Sequence, residues 1–161
     1  MAKGSEILLS SDPQGRFEEC IVSGTPSPGT CMEIVPSIAP VGGRFTFRAV
    51  SRADGTKGPV VVLLPDRLQG YSATTAYTTG ARGFMYWPIA GDELNMLERY
   101  QSGTGTAGIE NIGDLLAIDG ATGMLQAASG AASAPFQLRE HQGVALTTNT
   151  LVWTQYLGNQ A

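Results

Sequence analysis

Few residues in this chain could act as a catalyst. Its one histidine is His141, so any Ser-His-Asp or Cys-His arrangement would have to use it. It lies in Arg139-Glu140-His141-Gln142-Gly143, a polar stretch that reads as a solvent-exposed loop. A general base needs a shaped, partly desolvated pocket instead. Cys20 and Cys31 are the only thiols. Either would need that same histidine and an activating environment to serve as a nucleophile. With one distant histidine they do not make a zinc set. They read as reduced thiols packed as small apolar groups, although on neighbouring strands of one hairpin they could face each other.

The acidic pairs Glu18-Glu19 and Asp92-Glu93 put their carboxylates on opposite faces if their segments are strands. Neither pair then shares a cation easily, and a solvated face is the expected role. The stretches Gly103-Thr104-Gly105-Thr106-Ala107-Gly108 and Gly120-Ala121-Thr122-Gly123 lack the lysine and the strand-to-helix setting of a phosphate loop, and read as turns. Gly91-Asp92-Glu93-Leu94 and Gly113-Asp114-Leu115-Leu116 echo each other as tight turns before apolar runs, with Asp making a local hydrogen bond. No catalytic residue, metal or cofactor is expected.

The elements that must position these residues read as strands. Phe17 to Val22 and Cys31 to Val35 are short runs with β-branched content. They flank Ser23 to Thr30, whose two prolines no helix would tolerate, and the whole predicts a hairpin with a long loop. Arg44 to Val50 alternates with a period of two. Val60 to Leu64, between Pro59 and Pro65, is a continuous apolar run that suits a strand buried on both faces. Leu68 to Gly80 reads as a linker or irregular edge, and Arg82 to Trp87 as an aromatic strand. Asp92 to Tyr100 fits a helical or an alternating pattern, and its neighbours favour strand. Leu115 to Ile118, Met124 to Ala127, Phe136 to Glu140 and Leu151 to Tyr156 complete a series spaced near ten residues apart. That spacing argues for an all-β sandwich or barrel.

The 161 residues suit one domain, or two small lobes sharing a core. We expect an arm over 1–16 and a β-rich domain over 17–161, with lobes of about 17–70 and 71–161. Charged residues are only 15% of the chain, well under the usual ~25%. Its surface must therefore be polar through uncharged groups or be covered by other protein. The net charge is −4 and the ten Lys and Arg are scattered, which argues against direct nucleic-acid binding. No stretch approaches the ~20 apolar residues of a membrane span. Ile7-Leu8-Leu9 is too short for a signal peptide, so synthesis and use in a cytoplasm, or exit inside a particle, is expected.

Several strings then carry a resemblance. Val22-Ser23-Gly24-Thr25-Pro26-Ser27-Pro28-Gly29-Thr30 precedes Pro40-Val41-Gly42-Gly43-Arg44. Val61 to Gly70 and Gly91 to Leu97 come later, followed by Ile112 to Gly120 and Gly123-Met124-Leu125. In order and spacing, from about Val22 to Tyr156, the set resembles the capsid decoration (cement) proteins of tailed bacteriophages. No single motif is specific. The resemblance implies a non-enzymatic, β-rich protein, with a tulip-like fold as one alternative to a sandwich or barrel. Such a protein attaches to the outside of an assembled head and reinforces it against the pressure of packaged DNA. Its implied partners are the major capsid protein lattice and itself, as a homotrimer, and its implied location is the virion surface after synthesis in the host bacterial cytoplasm.

Two groups of residues are candidates for contacts. Ile7, Leu8, Leu9 and Phe17, on and beside the arm, are candidates for binding the shell, the arm by adding a strand to a capsid edge. Tyr86, Trp87, Trp153 and Tyr156 are either core or subunit-interface anchors. The alternative function is a host- or carbohydrate-binding β-domain of a phage tail or fibre.

Overall fold

The computed structural model describes residues 7–10, 16–51, 59–98, 112–128, 134–140 and 149–158. His141 lies outside them. The fold is all-β, and the described residues form eleven strands: β1 (Leu8–Ser10), β2 (Arg16–Ser23), β3 (Cys31–Ile34), β4 (Thr46–Ala49), β5 (Val61–Leu64), β6 (Arg82–Trp87), β7 (Glu93–Glu98), β8 (Leu115–Ile118), β9 (Leu125–Ala127), β10 (Phe136–Leu138) and β11 (Thr150–Tyr156). A short 3-10 turn at Arg67–Gln69 is capped by Asp66, whose carboxylate accepts from the amides of Leu68 and Gln69.

The strands close into two rings. The first barrel runs β2-β4-β3-β5-β6 and back to β2. The second runs β7-β11-β10-β8-β9 and returns to β7 through Glu98 and Leu125. Five strands cannot alternate in direction all the way round a ring, so each barrel must hold one parallel pair. That pair is β2–β4 in the first and β7–β9 in the second. β1 adds to β7 outside the second ring, pairing Leu8 with Leu94.

The rings are built alike. In each, the first strand along the chain pairs with the third and fifth, the second with the third and fourth, and the fourth with the fifth. The registers also match. Met32↔Ala49 and Ile34↔Phe47 correspond to Leu116↔Ala127 and Ile118↔Leu125. Val22↔Phe47 corresponds to Glu98↔Leu125, and Cys31↔Val62 to Leu115↔Gln137. Leu63↔Met85 corresponds to Leu138↔Thr154, and Cys20↔Gly83 to Met96↔Val152. The last correspondence is already fixed by the others and agrees with them. The chain is a tandem of two barrels of one design.

Alternation along each strand assigns the two cores. Cys20, Val22, Met32, Phe47, Val61, Leu63 and Met85 fill the first barrel. Tyr77 closes one end of it, stacked on Tyr71 at 4.0 Å and donating to the Leu64 carbonyl at 2.8 Å. Leu94, Met96, Leu116, Ile118, Leu125, Phe136, Leu138 and Tyr156 form the interior of the second. The outward side chains Cys31, Val62, Leu64 and Tyr86 of the first barrel, with Val50, belong to that second core. One wall of the first barrel therefore covers the mouth of the second. β5 serves both cores, and all four of its residues are buried.

The wall sits very close. The Cys31 amide donates to the Gly123 carbonyl at 2.8 Å, and the Tyr86 hydroxyl to Asp92 at 2.6 Å. A Cβ on Gly123 would lie 2.4 Å from the Cys31 carbonyl oxygen and 2.9 Å from the Val50 amide.

Three expectations are corrected. β2 and β3 do not form a hairpin, because β4 lies between them. The prolines at 26 and 28 prevent a tight return, and the loop instead docks on β7, where the Leu97 amide donates to the Gly29 carbonyl at 3.0 Å. The change of barrel falls between Trp87 and Glu93 rather than near Gly70, because β6 is the strand that closes the first ring. The stretch from Leu68 to Gly80 is not a linker but the end-plug that carries Tyr77. Within Asp92 to Tyr100 the strand reading holds over Glu93–Glu98, as β7, and residues 99 and 100 lie outside the described residues.

Replacing Gly123 by Ala should destabilise the chain by well over about 1 kcal/mol, since φ is +70° and the added methyl strikes backbone. Gly43→Ala, at φ +78° but with nothing within 4 Å, isolates the backbone cost alone. Urea unfolding of the two variants measures the difference. Equal losses would mean that the wall does not seat this tightly.

Candidate functional site

The end of the first barrel opposite Tyr77 is open. There β2, β4 and β5 begin and β3 and β6 finish. A cavity of about 560 Å³ enters the barrel between them, with Met32, Ile34, Phe45, Phe47, Val61 and Trp87 as its apolar lining. Among the described residues seven large apolar side chains are exposed, and five lie at this end: Phe17, Ile34, Ile38, Val41 and Phe45. Clustering of this kind marks a contact surface, whereas single exposed apolar residues do not.

Charges at the mouth are paired with each other. Glu18 accepts from the Trp87 indole at 3.2 Å and pairs with Arg16 at 3.4 Å. Glu33 pairs with Arg48 and accepts from the Ser51 amide. Glu19, adjacent to Glu18, points to the outer face, where the Arg44 guanidinium hydrogen-bonds it and, with Arg82, holds its carboxyl below the usual range. The two neighbouring carboxylates thus face different ways, as strand alternation requires.

The thiols are separated and shielded. Cys20 points into the first barrel and Cys31 out of it towards the second, and both are free and buried. Burial pushes the Cys20 thiol up to about 12 and the Cys31 thiol higher. Neither is a nucleophile at neutral pH. Among the described residues no three His, Cys, Asp or Glu side chains come together to hold a metal.

The candidate contact residues scatter. Ile7 is buried in this chain's own core, and its carbonyl accepts from the Asn95 amide. Leu8 and Leu9 lie on β1, whose backbone is already paired with β7 of the same chain. Phe17 is 56% exposed beside the mouth, with its ring 5.0 Å from that of Tyr86. Trp87 lines the mouth itself. Tyr86 and Tyr156 are buried, one joining the barrels and the other packed on Phe136. Trp153 is half-buried on the outer face of β11. The structure places Trp87 in the mouth with Ile34 and Phe45, which sequence reading had not singled out as contacts, whereas Phe17 lies on the outer face of β2 against Tyr86. Their signal was weak: Ile34 ends one strand and Phe45 precedes another, so both read as ordinary strand residues.

Thiol titration with an aromatic disulfide at pH 8 should find neither cysteine reactive in the folded chain and both reactive in denaturant. Burial also raises Tyr77, and raises Tyr156 to about 12. The folded chain therefore holds these protons more tightly than the unfolded one. Stability should be level below the ordinary thiol value of about 8.5 and fall as pH rises above it, by at most about 1.4 kcal/mol per pH unit for each group. A denaturation midpoint unchanged from pH 8 to 11 would contradict this. No protein-family model matches the chain, and no curated protein matches it.

Proposed function

We propose that the chain is a capsid decoration protein of a tailed bacteriophage, a non-enzymatic protein that binds the outer surface of the assembled head and stabilises it. The observation that carries this reading is the open apolar end of the first barrel. It offers Ile34, Phe45 and Trp87 around a deep apolar cavity, with its charges already paired to one another. Such a surface suits protein contact: the aromatic side chains are anchors and the paired charges form a polar rim. The resemblance of the ordered strings from Val22 to Tyr156 supports the same reading.

The physical demands of the role agree with the rest of the molecule. A reinforcing protein has to be stiff, and two closed rings leave few free strand edges. Attachment through a homotrimer would let weak single contacts hold together through avidity. The location that follows is the virion surface.

The test is sedimentation of the purified chain with mature, emptied heads of a tailed phage stripped of its own decoration protein. Saturable binding at a fixed number of copies per head is expected, together with resistance of the heads to heating. Phe45→Glu should weaken binding more than about tenfold while the circular dichroism spectrum stays unchanged. A chain that ignores heads and is retained on immobilised glycans would overturn the proposal in favour of a receptor-binding module.

A further inference from the structure

The two barrels share ring order and register, yet their mouths differ in one respect. Positions in the second mouth equivalent to Ile34, Phe47, Val61 and Trp87 are Ile118, Leu125, Phe136 and Tyr156. All four are buried, because the outer wall of the first barrel covers them. In the first mouth Phe47 and Val61 are buried as well, but Ile34 is 43% exposed, Trp87 is half-buried, and Phe45 beside them is 41% exposed. The chain thus contains a worked instance of what closes a mouth of this design, namely the outer wall of a barrel of the same design.

One wall is equally left over. The wall that does the covering is formed by Cys31, Val62 and Tyr86, all fully buried. Its counterpart on the second barrel is Leu115, Gln137, Arg139 and Gln155, all half-buried, at the positions of Cys31, Val62, Leu64 and Tyr86, with Trp153 beside them in place of Phe84. The exchange of Val62 and Tyr86 for glutamines fits a wall that meets water before it meets protein. Within one chain the step from barrel to barrel seats a mouth on a wall. Among the described residues one mouth is left open and one wall is only half-buried.

We infer that the open mouth of the first barrel is filled by the second-barrel wall of another copy of this chain, in a head-to-tail contact. The occupant is a second copy because the chain itself carries a wall of the same design as the one that covers the second mouth. The inference rests on reading the mouth as a protein-docking site and makes a copy of the chain its occupant, so only a mouth left free, on an unassembled chain or at the end of an open filament, can meet the head. A head-to-tail contact repeats, so the product is a closed ring or an open filament, not a two-fold dimer. The contact differs in detail from the one within the chain. Phe45 stands at the position equivalent to Gly123, where the internal wall comes closest. Its ring therefore holds the second copy further out and enters the contact as an anchor, which leaves the association reversible.

The test is analytical ultracentrifugation of the full chain across a wide concentration range, with two variants checked for unchanged circular dichroism. Phe45→Glu spoils the mouth. Gln137→Glu combined with Gln155→Glu spoils the wall. The wild type should show a mass that rises with concentration above that of one chain, and each variant should associate more than about tenfold more weakly. An equimolar mixture of the two variants should form species of two chains and none larger, since it retains one good mouth and one good wall. A wild type that stays monomeric up to about millimolar, a wall variant that assembles as the wild type does, or a mixture that stays monomeric would each overturn the inference. The functional proposal fails separately: chains that assemble but ignore phage heads would refute the decoration role alone. Monomers that bind heads through the mouth would refute this inference alone.

Discussion

The seating of one barrel's wall on the other barrel's mouth governs this molecule. A five-stranded barrel has a narrow interior and two ends, and each end exposes apolar lining unless something covers it. The first barrel closes one end with its own Tyr77 and Tyr71. The second is closed by its neighbour, at an approach so tight that Gly123 has no room for a side chain. This contact merges a barrel interior and a barrel exterior into a single core containing Cys31, Val62 and Tyr86 together with Leu116, Leu125 and Phe136. Apolar burial of this kind is the dominant favourable term in folding, so neither barrel is expected to be as stable without the other.

Closure also explains why the surface can be so poor in charge. Barrels remove the strand edges that other sheets must defend with lysines or bulges. The described ion pairs, such as Glu19 with Arg44 and Arg82 and Glu33 with Arg48, tie neighbouring strands or loops together on the outside. Exposed pairs contribute little to stability. At the mouth, Glu18 with Arg16 and Glu33 with Arg48 keep opposite charges together beside an apolar surface.

Much of the local structure was legible in the sequence. Val61 to Leu64 declared itself as a doubly buried strand, because only a segment with protein on both faces can be apolar at every position. The opposite facing of Glu18 and Glu19 followed from strand geometry. The ring order was not legible. The Ser23–Thr30 loop has the composition of a hairpin connection, and nothing local says that β4 comes between β2 and β3. The duplication was hidden for a different reason. Matched positions share a direction, inward or outward, but rarely a residue: Ile34 matches Ile118 and Ala49 matches Ala127, whereas Cys20 matches Met96 and Val61 matches Phe136. The Gly-Asp echo at Gly91 and Gly113 precedes β7 and β8, both in the second ring, so it does not mark the duplication. The site was partly legible: Trp87 stood out as an aromatic, but only closure of the barrel brings Ile34 and Phe45 beside it.

A tandem of barrels with one uncovered apolar mouth is suited to holding protein surfaces together. That account turns on whether the mouth is where the molecule makes contact. Hydrogen–deuterium exchange, read peptide by peptide on the free chain and on the chain bound in its assembly, addresses this directly. The account predicts that amides from Ile34 to Phe47, which form the lip of the mouth, exchange markedly more slowly in the bound form. An unchanged lip, with slowing confined to another surface, would contradict it.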